Sequence, residues 1–321
     1  MVTVRPADSS TLQVVPYRPE RKAEWNALVA RSRNGTFLIE RDYMDYHADR
    51  FRDCSYVVLK RMNVEAVIPG NQDGATFFSH QGLSYGGLIS TDGISASDTL
   101  RVFELLGEQL VRQGFKSVVY KPVPRLYHKL PAEEDLYALF RMGAKLTCRQ
   151  LSSAVLQANK VQFTESRMSG IRKARRGAVQ VIESDRYPEF WRLLEHVLLS
   201  KHGTRPVHSL AEIRNLSTSF PGNIRLHTAV SNGVVVAGAV MYLTDRVAHV
   251  QYIATNEEGR MCGALDLLFE CLINQEYESK PIFDFGTSTT DGGRVLNEGL
   301  VFQKEGFGGR GLVYDTYEYH L

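Results

Sequence analysis

The stretch IRLHTAVSNGVVVAGAVMYLTDRVAHVQYIATNEEGRMCGALDLLFECLINQEYESKPIFDFG, residues 224–286, decides how this chain is built. Its first twenty residues are two β-rich runs divided by Asn232 and Gly233. That pair tolerates positive φ at low cost, so it predicts a tight hairpin. RVAHVQYIAT then reads as a third strand, and NEEGRMCG as the loop that leaves it. Leu265, Leu268, Phe269, Leu272 and Ile273 follow at helical spacing, and PIFDFG returns as a strand. A strand, helix, strand succession makes a right-handed parallel crossover. Ligands of open α/β sheets gather at the carboxyl ends of such strands, so the site is expected there.

The same mixture continues outward on both sides. Upstream, RMSGIRKARRGAVQVIES leads into a helix opened by Asp185 and Pro188, and Ser209 with Glu212 has capping-box spacing for the next one. In the first half, LQVVPY, SYVVLKR, VEAVIP, GATFFSH and SVVYKPVP read as strands. Two helices are expected among them: RPERKAEWNALVARSRNG, closed by Gly35, and one capped by Ser97 with Leu100, Phe103, Leu106 and Leu110 on one face and Gly114 as its stop. AEEDLYALFRMG adds a helix and KLTCRQLSSAVL a strand, which completes one α/β unit near residue 155.

Composition bounds the rest. With 321 residues, two domains of ordinary size fit better than one, and 43% hydrophobic residues suffice for real cores. Lysine plus arginine number 38 against 36 acids, so no global field draws the protein to nucleic acid or membrane and anion binding must be local. The four cysteines have neither C-x-x-C pairing nor regular spacing, which reads as reduced thiols in a cytoplasmic protein. No secretory signal and no run of eighteen apolar residues is present, so no membrane span is expected.

Candidate chemistry concentrates in the second half. RKARR, residues 172–176, puts Arg172, Arg175 and Arg176 on one helical face with Ile171 and Ala174 turned inward. Such a face suits phosphates of an activated substrate or an RNA end, or is simply solvated. FDFGTST delivers Asp284 and then Ser288 from a strand end into a loop, a common place for substrate contacts. A kinase reading of DFG fails because neither an H-R-D loop nor a glycine-rich strand turn precedes it. No metal or nucleophile motif appears, none of the histidines stands out, and His80 reads as structural. Near the end, the glycines of FQKEGFGGRG give the backbone freedom to bring Lys304 close to a ligand while Phe307 anchors the turn in the core.

The closing LVFQKEGFGGRGLVYDTYEY resembles that of the FemAB/FemX-like transferases of the GNAT superfamily, in which a lysine and a glycine-phenylalanine turn precede the last strands. IRKARRGAVQV is similar to the entry into that family's second domain and FDFGTST to its penultimate strand; in the first half only the organisation and GLSYGGLI match. The resemblance implies an α/β (α+β) protein of two tandem GNAT-like domains, each a mixed sheet flanked by helices, at 1–155 and 156–321. It implies transfer of an acetyl or aminoacyl group to an amine of a sugar, peptide or cell-envelope precursor, nucleotide-activated substrates included. By that analogy Lys304 polarises the acyl carbonyl or holds a phosphate, and Asp284 orients groups or accepts a proton. Arg172 and Arg175 sit near an anionic substrate, with Tyr85, Tyr252 and Ser288 as further substrate contacts. Arg260, Gly263 and Ala264 are similar to the R-x-x-G-x-G/A loop that grips the pyrophosphate of coenzyme A, although Leu265 stands at its last position. A bulged QYIAT strand would supply oxyanion donors. No tightly bound cofactor and no metal is implied. The co-substrate is acyl-CoA or aminoacyl-tRNA, which makes tRNA a candidate partner. The alternative is a non-catalytic GNAT-fold module that binds a ligand or RNA.

Overall fold

The computed structural model describes residues 12–321. Contacts divide the chain into two compact units, one running to Arg149 and taking back Tyr314–Leu321, the other Gln150–Val313.

The first unit contains β1 (Leu12–Pro16), α1 (Lys22–Arg31), α2 (Arg41–Met44), β2 (Arg52–Asp53), β3 (Tyr56–Lys60), β4 (Asn63–Ile68), β5 (Asn71–Asp73), β6 (Thr76–Phe78), β7 (Ile89–Ser90), α3 (Ala96–Arg112), β8 (Ser117–Tyr120) and α4 (Glu134–Arg141). Strands β1, β3, β4 and β7 form one antiparallel sheet. The remaining strands pair as β2–β5–β6–β8, with β6 parallel to β8. The expected stripe of α3 buries Phe103, Leu106 and Leu110, and Leu100 packs against the same core.

Two helix boundaries differ from the sequence expectation. Ser95 caps α3, not Ser97, because Asp98 three residues later completes a capping box with it. Helix α1 ends at Arg31; Ser32 is its cap, and Gly35 lies beyond it.

The second unit follows with β9 (Lys145–Leu156), α5 (Glu165–Arg176), β10 (Gln180–Ser184), α6 (Tyr187–His202), α7 (Leu210–Ser219), β11 (Ile224–Ser231), β12 (Val234–Leu243), β13 (Val247–Thr255), α8 (Glu257–Cys262), α9 (Ala264–Cys271), β14 (Ile282–Thr287), β15 (Thr289–Thr290), β16 (Val295–Leu296), α10 (Glu298–Gly306) and β17 (Arg310–His320). From Tyr314 on, β17 belongs to the first unit, where Tyr317 lies opposite Tyr120 of β8. The sheet of the second unit runs β10–β11–β12–β13–β14–β9. All its neighbours are antiparallel except β13 and β14, the pair joined by the α8–α9 crossover.

Asn232 and Gly233 turn at φ of 49° and 80°, the expected hairpin geometry, and Ser209 with Glu212 forms the expected capping box. One face of this sheet carries the main core. Ala248, Val250, Phe283 and Phe285 pack there with Ile171 and Ala174 of α5 and Leu268 of α9. Phe307 is fully buried in the same cluster, 5.1 Å from the Phe269 ring, and is the anchor the sequence suggested.

Candidate functional site

Strands β13 and β14 run in parallel register for three residue pairs, the last being His249 opposite Asp284. The ladder stops there, while β13 continues to Thr255 and β14 to Thr287. Past this pair the two strands part, so one edge of β13 has no ladder to β14.

The register of β13 against β12 shifts between Val240 and Met241, which leaves Gln251 as an extra residue. The bulge changes which side chains face the main core. Ala248 and Val250 pack into it, and beyond the bulge Ile253 does so. His249 and Tyr252 therefore share the opposite face, and Asp284, flanked by core-facing Phe283 and Phe285, lies on that face too. A bulge on this strand is what the resemblance implied.

Asp284 is fully buried, and donors surround its carboxylate. Ser152 Oγ donates to Oδ1 at 2.7 Å and the Gly286 N–H to the same oxygen at 3.0 Å. Oδ2 lies 2.7 Å from Nδ1 of His249. The imidazole is not sealed in, since its side chain keeps 17% of its exposure. Gly286 turns at φ of 74°, a left-handed value that glycine adopts without strain, and a Cβ there would lie 3.2 Å from Cε1 of His249.

Two residues further along, the ammonium of Lys304 holds the end of β14. It donates to the carbonyl of Gly286 at 2.7 Å, to that of Thr287 at 2.9 Å and to Ser288 Oγ at 2.7 Å. Three donors meet three acceptors, the full complement of an ammonium. Lys304 comes from α10, capped by Asn297 whose side chain accepts from Leu300 N. It therefore projects from a regular helix and not, as expected, from a flexible turn. Burial pushes its amine down to about 8, while the charge of Asp284 works in the opposite direction.

The structure thus gathers Asp284, Ser288 and Lys304 in one cluster and adds Ser152 and His249. Tyr252 is buried, its hydroxyl 2.6 Å from Nδ1 of His208 and its ring 5.1 Å from that of Trp191. Tyr85 lies in the first unit, buried, with its hydroxyl 3.0 Å from Thr36 Oγ1.

The α5 arginines sit apart in exposed ion pairs. Arg172 meets Glu165 on its own helix, and Arg175 meets Glu270 at 3.0 Å. Ile171 and Ala174 point inward as expected.

The segment after β13 differs from the sequence reading. Glu257–Cys262 is itself a short helix, capped by Asn256, whose side chain accepts from Gly259 N at 2.8 Å. Arg260 donates to the Thr255 carbonyl at 3.3 Å. Gly263 turns left-handed at φ of 76°, and a Cβ there would lie 2.3 Å from the Gly170 carbonyl oxygen of α5. Ala264 is fully buried. Close helix packing accounts for the small residues at 263 and 264.

Among the described residues, Glu183, His227 and Glu276 form a group spaced as metal ligands. The Arg225 guanidinium already pairs with both carboxylates, at 3.4 and 3.5 Å. No described helix is long and apolar enough to cross a membrane.

Comparison with known proteins fits this geometry. Residues 165–291 match the acetyltransferase (GNAT) domain family. The structure is similar to that of FemX, with a TM-score of 0.68 and 13% identity over 96% of this chain and 97% of that one. It is also similar to L-PGS from Bacillus licheniformis (TM-score 0.59, 12% identity, 94% and 91% covered). A third likeness is to a tandem GNAT protein from the clavulanic acid biosynthesis pathway (0.51, 14%, 96% and 98%). No curated protein matches significantly in sequence. At such identities the likenesses establish the fold, two tandem GNAT-like units of mixed sheet and helices.

Proposed function

We propose that this chain, whose residues 165–291 match an acetyltransferase domain of the GNAT type within a FemX-like fold, transfers an acyl or aminoacyl group to an amine. The observation that carries the reading is the polar cluster where the β13–β14 ladder ends, with Asp284, Ser288 and Lys304 buried and His249 partly exposed beside them. Acyl transfer to an amine needs proximity, a route for the amine proton and donors for the tetrahedral oxyanion, and no protein nucleophile.

In this account the donor's carbonyl lies against the free edge of β13 beyond its bulge, where backbone N–H groups stabilise the oxyanion. Lys304, with its three donors engaged, fixes the Gly286–Ser288 turn and places a positive charge beside the developing negative one. Arg260, on the short helix α8 that follows β13, is available to the anionic part of the donor, which is acyl-CoA or aminoacyl-tRNA. Tyr252, on the same face as His249, is the acceptor contact in this reading, and the guanidinium groups of Arg172 and Arg175 are the cations that meet an anionic part of the substrate. The acceptor is the amine of a sugar, peptide or cell-envelope precursor. FemX and L-PGS, whose structures this chain shares in outline, motivate the aminoacyl alternative.

The test is direct. Purified protein is offered radiolabelled acetyl-CoA or labelled aminoacyl-tRNA with a panel of amino sugars, peptides and nucleotide-activated amines, and the amide products are separated. Labelled amide from at least one donor and acceptor, with loss on Lys304→Met, supports the reading. Donor binding without amide formation across the panel favours a non-catalytic module instead.

A further inference from the structure

Nothing in the sequence singles out His249, yet its ring occupies the point where the two parallel strands part. Its Nδ1 is held by a carboxylate with no solvent exposure. That carboxylate is held in turn: Oδ1 accepts from Ser152 Oγ on β9 and from the Gly286 N–H on β14. With Oδ1 accepting from two donors, the Asp284 carboxyl presents Oδ2 to the imidazole as a further acceptor. Nδ1 must then carry the hydrogen, which leaves the lone pair on Nε2. Among the described residues Nε2 makes no hydrogen bond, and the ring retains part of its exposure.

Resting on the acyl-transfer reading, we propose that His249 is the catalytic proton acceptor of this protein, with Asp284 as the residue that positions it. The acceptor's neutral amine nitrogen attacks the acyl carbonyl carbon, forming the C–N bond, while Nε2 of His249 removes the nitrogen's proton. The bond from the carbonyl carbon to the donor's sulfur or oxygen then breaks, and the imidazolium returns the proton to that leaving atom. The products are an amide and a thiol or hydroxyl. The imidazole ends neutral, so one group serves as base and then as acid. The carboxylate steadies the transient imidazolium and keeps the tautomer correct, as in triads where an aspartate orients a histidine.

Two readouts test this. With a donor and acceptor pair that the wild type turns over, His249→Gln should lower kcat roughly 10²- to 10⁴-fold. The KM for the donor should stay near wild type, and the rise of rate with pH on the acid side should disappear. Asp284→Asn should lower kcat while the fold persists. Independently of any substrate, a long-range ¹H–¹⁵N spectrum of the imidazole in its neutral form should show Nδ1 protonated and Nε2 bare. A His249→Gln enzyme with wild-type kcat and pH profile overturns the proposal, and so does a neutral Nε2–H tautomer. If the wild type acylates no amine from either donor, the acyl-transfer reading fails, while the tautomer still decides whether the base is in place.

Discussion

Lys304 Nζ donates to Ser288 Oγ at 2.7 Å, and the same ammonium holds the carbonyls of Gly286 and Thr287. One helix side chain thereby fixes the turn that ends β14. The residue has a structural task as well as an electrostatic one, and the two are separable.

Replacing Lys304 by Met removes three buried donors at once and leaves two carbonyls and a hydroxyl unsatisfied. An unmade buried hydrogen bond costs about 1–3 kcal/mol, so we expect a stability loss of at least ~3 kcal/mol. Chemical denaturation measures it. A stable Lys304→Met protein would mean the ammonium does not hold the turn.

Gly263 tests the origin of a small residue. Its φ is 76°, and a methyl added there would meet the Gly170 carbonyl oxygen at 2.3 Å. Gly263→Ala should therefore cost at least ~2 kcal/mol, from the left-handed backbone and the helix clash. A drop in melting temperature with the donor's KM unchanged in the surviving protein supports packing as the reason. A raised KM at unaltered stability would assign Gly263 to the donor site.

In the first unit, Tyr120 donates to Asp135 Oδ2 at 2.7 Å and accepts from Leu88 N at 2.7 Å, all three groups being buried. Burial pushes the Asp135 carboxyl up to about 6. Tyr120→Phe leaves both partners unsatisfied and should destabilise the protein by about 2 kcal/mol. Urea titration checks this.

Two buried histidines should make the protein acid-sensitive. Burial is the first cause holding His80 down to about 3 and His227 down to about 4. The unfolded chain takes up these protons near its ordinary value of about 6.5, before the folded one does. Stability is therefore full above that pH and falls below it, by about 1.4 kcal/mol per pH unit for each histidine, until the folded values are reached. His227→Gln should flatten the slope of denaturation midpoint against pH between about 6.5 and 4. An unchanged slope would show that His227 does not titrate as its burial implies.

Arg172 and Arg175 form exposed ion pairs with Glu165 and Glu270, which are worth about 0–1 kcal/mol. The double change to Ala should leave the melting temperature nearly unaltered. Its readout is the acceptor's KM, which should rise at low salt if these side chains meet an anionic substrate.

Much of the fold is legible in local pattern. Asn232 and Gly233 mark the hairpin, Ser209 and Glu212 the capping box, and the strand, helix, strand order of 247–287 forces a parallel pair. Local signals also explain the misplaced boundaries. Ser95 and Asp98 have the capping spacing that Ser97 lacks, and Asn256 with two following glutamates opens a helix where the sequence reading had a loop.

The candidate site was legible in part. Asp284, Ser288 and Lys304 stand in conspicuous segments at a strand end and beside a glycine turn, and the structure brings them together. His249 was missed because its partner is thirty-five residues away across a parallel ladder, and register is set by tertiary packing and not by neighbouring residues.

The most direct measurement is amide formation by the purified wild-type protein, followed by mass spectrometry with labelled acetyl-CoA and with charged tRNA over a panel of amines. The account expects label to appear on an amine nitrogen, and the yield to collapse in Lys304→Met protein shown by circular dichroism to remain folded. Donor binding without any labelled amide, or equal yields from both proteins, would contradict it.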